Sequence, residues 1–411
     1  MPRILIVRGH LVTPWELGPW RELPGRFDVS YLLTASNGFA PPEGLRSVPA
    51  RSLRDALPRG RLGDVGAGLI GDRYLAAEQA FAEADIVHAE ELSFWFSAEA
   101  ARRRPKHGFK LVQTVWETLP FLGAYRNRHA RRHRELVLAE TDLFLPATER
   151  AAQALALEGV GEERIRVCAP GIDVERFAGA PPAAGEPSAA TPARDPRGEH
   201  VIVSPGRLVW EKGHQDVLRA LAALHRGIVT LPDGSVVKPR LSIVGSGPEE
   251  HRLREHAREL GLAGAVDIAS VPYERMPDVF AGASAMVLSS HDMAGANYHP
   301  FDVPHVFWEE QFGLVLAEAM AAGLAIITTT SGAIPEVLAG APVELLAPGD
   351  WMGIARALAA GPLQRPPAAR VAYPAELVHR YSNAAAAERL ASAYDHVLVG
   401  APAPSQPLVR G

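Results

Sequence analysis

Hydrophobic residues in this chain gather in short, nearly unbroken runs separated by longer stretches of helical spacing. In the first half the runs are RILIV (3–7), ADIVHA (84–89), FKLVQTV (109–115) and DLFLPA (142–147). A strand, helix, strand rhythm predicts a parallel sheet. Runs that are apolar throughout, not alternating, predict a sheet covered on both faces. The rhythm restarts with HVIVS (200–204), RLSIVG (240–245), AMVLSS (285–290) and LAIITTT (324–330), and helices are expected near His214–His225 and Glu249–Leu260. The expected class is therefore α/β, with two doubly wound Rossmann-like domains facing across a cleft.

Between the two series lies a stretch dense in Pro, Ala and Gly with no apolar period, which reads as an exposed linker or loop. The divisions expected are a first domain over 1–177, the linker over 178–199, a second domain over 200–375, a helical segment over 376–398 packing back across the domains, and a tail over 399–411. A length of 411 residues is more than one core usually serves and fits two.

Composition narrows the class without naming a chemistry. With 47% hydrophobic and 22% charged residues the chain is neither of disordered nor of membrane type. The run Ala319–Ile327 is broken by Gly323, so no stretch reaches the 18 or so apolar residues a membrane span needs. Cys168 is the single cysteine, which excludes an intramolecular disulfide, and the apolar run Ile4–Val7 is too short for a signal peptide. A cytoplasmic protein is expected, with any membrane contact peripheral.

The net charge of -5 speaks against a general nucleic-acid binder, yet charge is unevenly placed. From Arg102 to Glu135 ten Lys or Arg stand against two Glu, and Arg128, Arg131, Arg132 and Glu135 share one helical face. That face suits weak contact with anionic lipid at the inner surface of a membrane, attraction of an acidic acceptor, or plain solvation.

In open parallel sheets ligands gather beyond the carboxyl ends of the strands. After HVIVS comes SPGRLVWEKG (204–213), where Arg207 and Lys212 can converge from one turn, as a diphosphate requires; a solvated pair near Glu211 is the plainer alternative. In WEEQFGLVLAEAMAAG (308–323), Gly313 marks a helix start, Glu310 lies in the loop before it and Glu318 on its second turn. Backbone N–H groups around Phe312, Gly313 and Leu314 would face an anion, Glu318 would hold a ribose and Glu310 the transferred sugar. Acids near a helix N-terminus also simply complement its dipole. Gly245 and Gly247 in LSIVGSGPEE allow close approach of a ligand, or serve a tight turn. His291 and Asp292 open a long polar segment running to residue 313, either an active-site loop or a surface insertion. No cluster of His, Cys and Asp suggests a metal site.

Taken together, PGIDVERF (170–177), GRLVWEKG (206–213), LSIVGSGP (241–248), MPDVFAGASAMVLSS (276–290) and EQFGLVLAEAMAAGLAIITTTSGAIPEVL (310–338) resemble glycosyltransferase family 4, retaining enzymes of GT-B fold. Glu310 and Glu318 match that family's E-x7-E motif. The resemblance implies a donor domain in which Arg207 and Lys212 contact the diphosphate of a nucleotide sugar, Glu318 the ribose and Glu310 the sugar, aided by backbone at Phe312, Gly313 and Leu314. It implies a nucleotide-diphosphate sugar as co-substrate, no metal or other cofactor, an acceptor bound by the first domain, and domain closure that excludes water.

The first half departs from the family pattern. A Gly-Gly pair common in the family after the first strand is replaced by RGHLVTPWELGPW (8–20), with Gly9 and Gly18 apart, and Trp116 stands where a His often follows LVQTV. Gly9, His10 and Glu117 are acceptor-side candidates by position, and His88 reads as a core histidine. Two rival functions share this architecture: a sugar-nucleotide epimerase or hydrolase, and a non-catalytic nucleotide-sugar-binding protein.

Overall fold

The computed structural model describes residues 1–23, 25–58, 71–122, 128–178, 199–295 and 306–400; for 293–295 and 306 it describes the backbone alone. The described residues form two compact units. The first comprises residues up to Ile172 together with those from Arg380 onward, and the second the residues from Asp173 to His379.

In the first unit the strands are β1 (Arg3–Ile6), β2 (Asp28–Thr34), β3 (Arg46–Ser52), β4 (Tyr74–Ala76), β5 (Ile86–Glu90), β6 (Lys110–Val115) and β7 (Leu143–Pro146). They form one sheet in the order β4-β3-β2-β1-β5-β6-β7, parallel except at the β3–β4 edge. β1 pairs with β2 at Ile4↔Val29 and with β5 at Ile4↔Ile86. Its alternate residues feed two different cores: Leu5 packs with Leu32, Phe81, Phe96 and Phe144, while Ile4 and Ile6 pack with Tyr31, Val112 and Leu145. Both faces are thus buried, which is what unbroken apolar strands require.

The second unit contains β8 (Val201–Pro205), β9 (Arg240–Val244), β10 (Val266–Ala269), β11 (Ala285–Leu288), β14 (Ala325–Thr329) and β15 (Leu345–Leu346), all parallel in the order β10-β9-β8-β11-β14-β15. β12 (Met293–Gly295) and β13 (Val306–Trp308) form a separate antiparallel pair.

The strands read from the sequence all form, each within a residue or two at its ends. Strands such as β2, β3, β10 and β15 escaped that reading; for β3, RSVPARS, the reason is that it is a mostly exposed strand containing a proline, without an apolar run. The division between units also falls at Ile172, ahead of residue 177. The helix Val174–Ala178 packs on the helices Leu314–Ala321 and Met276–Gly282, with the Phe177 ring 5.7 Å from Phe280, so it belongs to the second unit. Most of the segment 178–199 and all of the tail from 401 lie outside the described residues.

The last helix, Asn383–Gly400, completes the first unit. Tyr394 is fully buried there; Trp20 Nε1 donates to its hydroxyl at 2.8 Å, and that hydroxyl lies 2.6 Å from His88 Nδ1. The hydroxyl therefore donates to His88, whose Nε2 donates onward to Thr114 Oγ1 at 2.8 Å. Burial holds the imidazole well below its usual pKa and so neutral. His88 is a satisfied core histidine.

Candidate functional site

Strand order reverses between β8 and β11 in the second unit and between β1 and β5 in the first. Strand-end loops diverge at such a point and leave room for a ligand. The donor candidates stand at the reversal in the second unit.

The turn after β8 is built on backbone. Gly206 N donates to Val244 O at 2.9 Å and Leu208 N to Ser246 O at 2.9 Å, joining the turn to the end of β9. A Cβ on Gly245 would stand 1.9 Å from Gly206 O, so only glycine lets the two turns touch. That packing accounts for Gly245 without a ligand. His214, fully buried, ties the turn to the following helix: its Nε2 lies 3.2 Å from Arg207 O and its Nδ1 2.8 Å from Ser204 Oγ. Burial lowers its pKa to about 4. The Arg207 side chain is exposed.

Lys212 ends the short turn Trp210–Lys212. Its Nζ lies 2.6 Å from Glu310 Oε2 and 5.0 Å from the centroid of the Trp308 ring on β13. It is therefore not partnered to Glu211. Glu310 is only 5% exposed, and Ser290 Oγ donates to the same Oε2 at 2.6 Å. A buried carboxylate with a cation and a hydroxyl on one oxygen is fixed in direction and compensated in charge. Its backbone is fixed too: Glu310 N donates to Ser331 Oγ at 3.1 Å, and Ala333 N donates to Glu310 O at 2.8 Å. Ser331 Oγ in turn donates to His291 O at 3.0 Å, and Thr329 Oγ1 to Ser290 O at 2.6 Å. Hydroxyls following β11 and β14 thus hold Glu310 in place.

The helix Leu314–Ala321 starts at Gly313, whose φ of 77° is left-handed, and no side chain caps it. Its first amides leave the N-terminal end of the dipole available to an anion. Glu318, on its second turn, is 5% exposed and accepts from Tyr273 OH at 2.9 Å. Burial pushes its carboxyl up to about 7, against the opposing pull of Tyr273 and Arg176. The two acids of the motif therefore have separate partners, Lys212 and Ser290 for one and Tyr273 for the other.

His291 Nε2 lies 2.7 Å from Asp216 Oδ2, and the buried Asp216 also accepts from Arg219 at 2.6 Å. His291 N donates to Glu211 O at 2.9 Å, so this residue braces the Lys212 turn. Asp292 is exposed. Residues 296–305 of the long segment lie outside the described residues.

At the reversal in the first unit, Gly9 adopts φ +58°, and a Cβ there would stand 2.6 Å from the Phe96 ring. Its amide donates to Tyr74 OH at 3.2 Å. His10 is half-buried next to it. Arg8 is buried, ion-paired with Glu90, and lies 5.6 Å from the Trp20 ring; burial lowers its pKa to about 10. Glu91, at φ +63°, accepts from the amides of Trp116 at 2.7 Å and Glu117 at 3.1 Å. Burial, then the charge of Glu117, raises Glu91 to about 7. Glu117 Oε1 accepts from the amides of Thr118 and Leu119 at 3.1 and 3.0 Å, which commits that oxygen to its own turn.

The basic stretch is less basic in the fold than along the chain. Arg102 and Arg103 pair with Glu99; Arg103, Lys106 and His107 with Glu78; Arg104 with Glu140 and Asp142; Lys110 with Asp142; and Arg134 with Glu158. Arg128, Arg131 and Arg132 are exposed on the helix Arg128–Glu140. Among the described residues no helix is long and apolar enough to cross a membrane, and no group of three His, Cys, Asp or Glu is placed to hold a metal ion. Cys168 is buried, its thiol pushed up to about 11.

Sequence reasoning missed His214, Ser290, Ser331, Tyr273 and Trp308. Ser290 and Ser331 carried a usable signal, hydroxyl residues at the carboxyl ends of apolar strands. Tyr273 and Trp308 carried none, since Tyr273 meets Glu318 across 45 residues and Trp308 on β13 meets Lys212 from the far side of the second unit's sequence.

Two parallel-sheet α/β units, each with a strand-order reversal, define the GT-B fold, and a solved structure agrees. The Anabaena protein HepE in complex with UDP and glucose superposes with a TM-score of 0.65 over 96% of this chain and 100% of that one, at 17% identity. Residues 191–372 match the family model for glycosyl transferases group 1 and residues 21–176 that for glycosyltransferase family 4. A D-inositol 3-phosphate glycosyltransferase of Corynebacterium jeikeium is 31% identical over 237 residues, 56% of this chain and 52% of the relative. One of Catenulispora acidiphila is 27% identical over 346 residues, 76% of this chain and 72% of the relative. The chain belongs to the family 4 glycosyltransferases. It spans about half the length of curated relatives such as those of Corynebacterium jeikeium and Rhodococcus erythropolis.

Proposed function

We propose that this chain is a retaining glycosyltransferase that takes a sugar from a nucleotide-diphosphate donor held in its second unit and passes it to an acceptor, without a metal ion. The observation that carries this reading is the contact of Lys212 Nζ with Glu310 Oε2 at 2.6 Å, beside the uncapped start of the helix Leu314–Ala321. A cation and a sugar-holding acid placed side by side at a helix N-terminus match a molecule in which a diphosphate adjoins a polyol.

Binding would exchange partners. The diphosphate takes Lys212 from Glu310, Arg207 swings onto it from solvent, and the released carboxylate accepts sugar hydroxyls. As the bond to the diphosphate breaks, the charge on the departing oxygen is stabilised by Lys212, Arg207 and the helix N-terminus, while the acceptor hydroxyl attacks the same face of the anomeric carbon and passes its proton to the departing phosphate oxygen. Arg8, His10, Glu91 and Glu117 in the first unit are the acceptor-side candidates. The sequence match to enzymes named for D-inositol 3-phosphate supports a hydroxylated acceptor.

The test has two stages. A panel of UDP, GDP, ADP and TDP sugars is screened for thermal stabilisation, and the donor selected is incubated with candidate polyol acceptors while the anomeric proton is followed by NMR. A product with the donor's anomeric configuration is expected. Conversion of the donor in the absence of any acceptor, at the same rate as in its presence, would mean an epimerase or hydrolase instead.

A further inference from the structure

Glu318 is held by a residue outside the family motif. Tyr273 lies in the short turn Tyr273–Arg275, and its hydroxyl donates to Glu318 Oε1 at 2.9 Å. The Arg176 guanidinium lies over its ring, 5.6 Å from the centroid, and the Phe177 ring meets it edge-on at 6.3 Å. Phe177 also packs on Phe280. The phenol is thus held by two neighbouring side chains of the helix Val174–Ala178. Burial and the adjoining Glu318 charge push its pKa upward, so at any ordinary pH it carries its proton and can donate to a carboxylate.

We propose that Tyr273 is a positioning residue of the donor site: its hydroxyl pins Glu318 Oε1 and keeps that acid an acceptor for the vicinal hydroxyls of a nucleoside. The inference rests on the reading of Glu318 as the ribose ligand. A carboxylate with 5% exposure loses most of its hydration and is driven toward its neutral form, in which one oxygen becomes a donor and a diol is held poorly. Two groups oppose that drift, the Tyr273 hydrogen bond and the Arg176 charge. Other charged groups on the same elements are Asp173, felt by Tyr273, Glu274 in the same turn, and Arg275, paired with Asp278 at 2.6 Å. Since Glu318 titrates at about 7 with both supports in place, removing either moves its midpoint upward. Nucleotide affinity should then rise with pH through neutrality, and more steeply at higher pH in the variants.

The experiment is calorimetric titration of wild type, Tyr273→Phe, Arg176→Gln and Glu318→Gln with UDP and GDP from pH 6 to 9, using the nucleotide that binds wild type. The nucleotide's terminal phosphate titrates in the same range, so differences between variants are the reading. Tyr273→Phe is expected to weaken binding by about fivefold or more near pH 7 and to approach wild type by pH 9. In turnover it raises donor KM with little change in kcat. Arg176→Gln, which removes charge without emptying a core volume, is expected to shift the midpoint in the same direction and serves if Tyr273→Phe melts early. Affinity and pH midpoint equal to wild type in both variants, or tighter binding in Tyr273→Phe, overturn the positioning role. Wild-type affinity and pH profile in Glu318→Gln overturn the ribose assignment itself, a separate result.

Discussion

His214 Nε2 lies 3.2 Å from the carbonyl oxygen of Arg207. A carbonyl can only accept, so that nitrogen carries the proton, and Nδ1, 2.8 Å from Ser204 Oγ, accepts from the hydroxyl. One neutral ring thereby links the last residues of β8, the turn at Arg207 and the helix His214–His225. With a folded-state pKa of about 4 against about 6.5 unfolded, the unfolded chain binds the extra proton between those values. The stability this neutral ring contributes is therefore present above pH 6.5 and lost as pH falls toward 4. His214→Gln should melt below wild type at pH 8, and the gap should close by about 3 kcal/mol between pH 6.5 and 4. A constant gap in melting profiles across that range would show that His214 is not held neutral.

Lys212→Ala and Arg207→Ala should each lower turnover by about 100-fold or more, because each removes charge from the departing diphosphate. The two differ in stability. Lys212→Ala leaves the buried Glu310 with Ser290 as its remaining partner at that oxygen, so its melting temperature should fall, whereas Arg207, exposed, should melt as wild type. Near-normal turnover in both variants removes the diphosphate assignment.

Glu310→Ala should leave free nucleotide affinity within about twofold while lowering transfer by about 100-fold or more. The acid contacts Lys212 and Ser290 and is separate from the Tyr273–Glu318 pair. Calorimetry with free nucleotide, set beside initial rates, decides the matter. A loss of nucleotide binding as large as the loss of rate would place Glu310 on the nucleotide instead of the sugar.

Excess EDTA should leave the transfer rate within about twofold, since Lys212, Arg207 and the helix N-terminus supply the positive charge a diphosphate needs. Inhibition reversed by magnesium or manganese would contradict this.

Arg128, Arg131 and Arg132 are exposed on the helix Arg128–Glu140, so any attraction to anionic vesicles should run through them. Sedimentation with phosphatidylglycerol vesicles at low salt should be lost both in the triple alanine variant and at high salt. If wild type stays in the supernatant at low salt, the face does not serve a membrane.

The sequence made the parallel strands legible because a strand buried on both faces is apolar along most of its length, as Ile4–Ile6 of β1 and all of β11 are. It did not reveal β3, whose burial is partial and whose apolar content is low. Glu310, Lys212 and Glu318 could be nominated because cations after a strand end suit a diphosphate, acids around a helix start suit sugar hydroxyls, and their spacing matches the motif of the family the chain resembles. Their pairing could not, because Lys212 and Glu310 are 98 residues apart and meet only through the β8–β11 reversal. The paired state of the Arg102–Arg134 stretch was hidden for a like reason. Glu78 and Asp142 come from elements outside the stretch, which a local count of charge cannot weigh.

The helix Asn383–Gly400 has a consequence for biosynthesis. Leu390, Tyr394 and Val397 complete the core that begins with Ile4 and Ile6, and Tyr394 supplies the partner for Trp20 and His88. During translation the unit whose strands emerge first must wait with that face uncovered until residues beyond 383 leave the ribosome, while the second unit, threaded between its parts, already holds all its strands. The order of synthesis and the order of completion are reversed, and a chain arrested near residue 380 presents the apolar face of Ile4, Ile6 and Ile86 to whatever chaperone or protease meets it first.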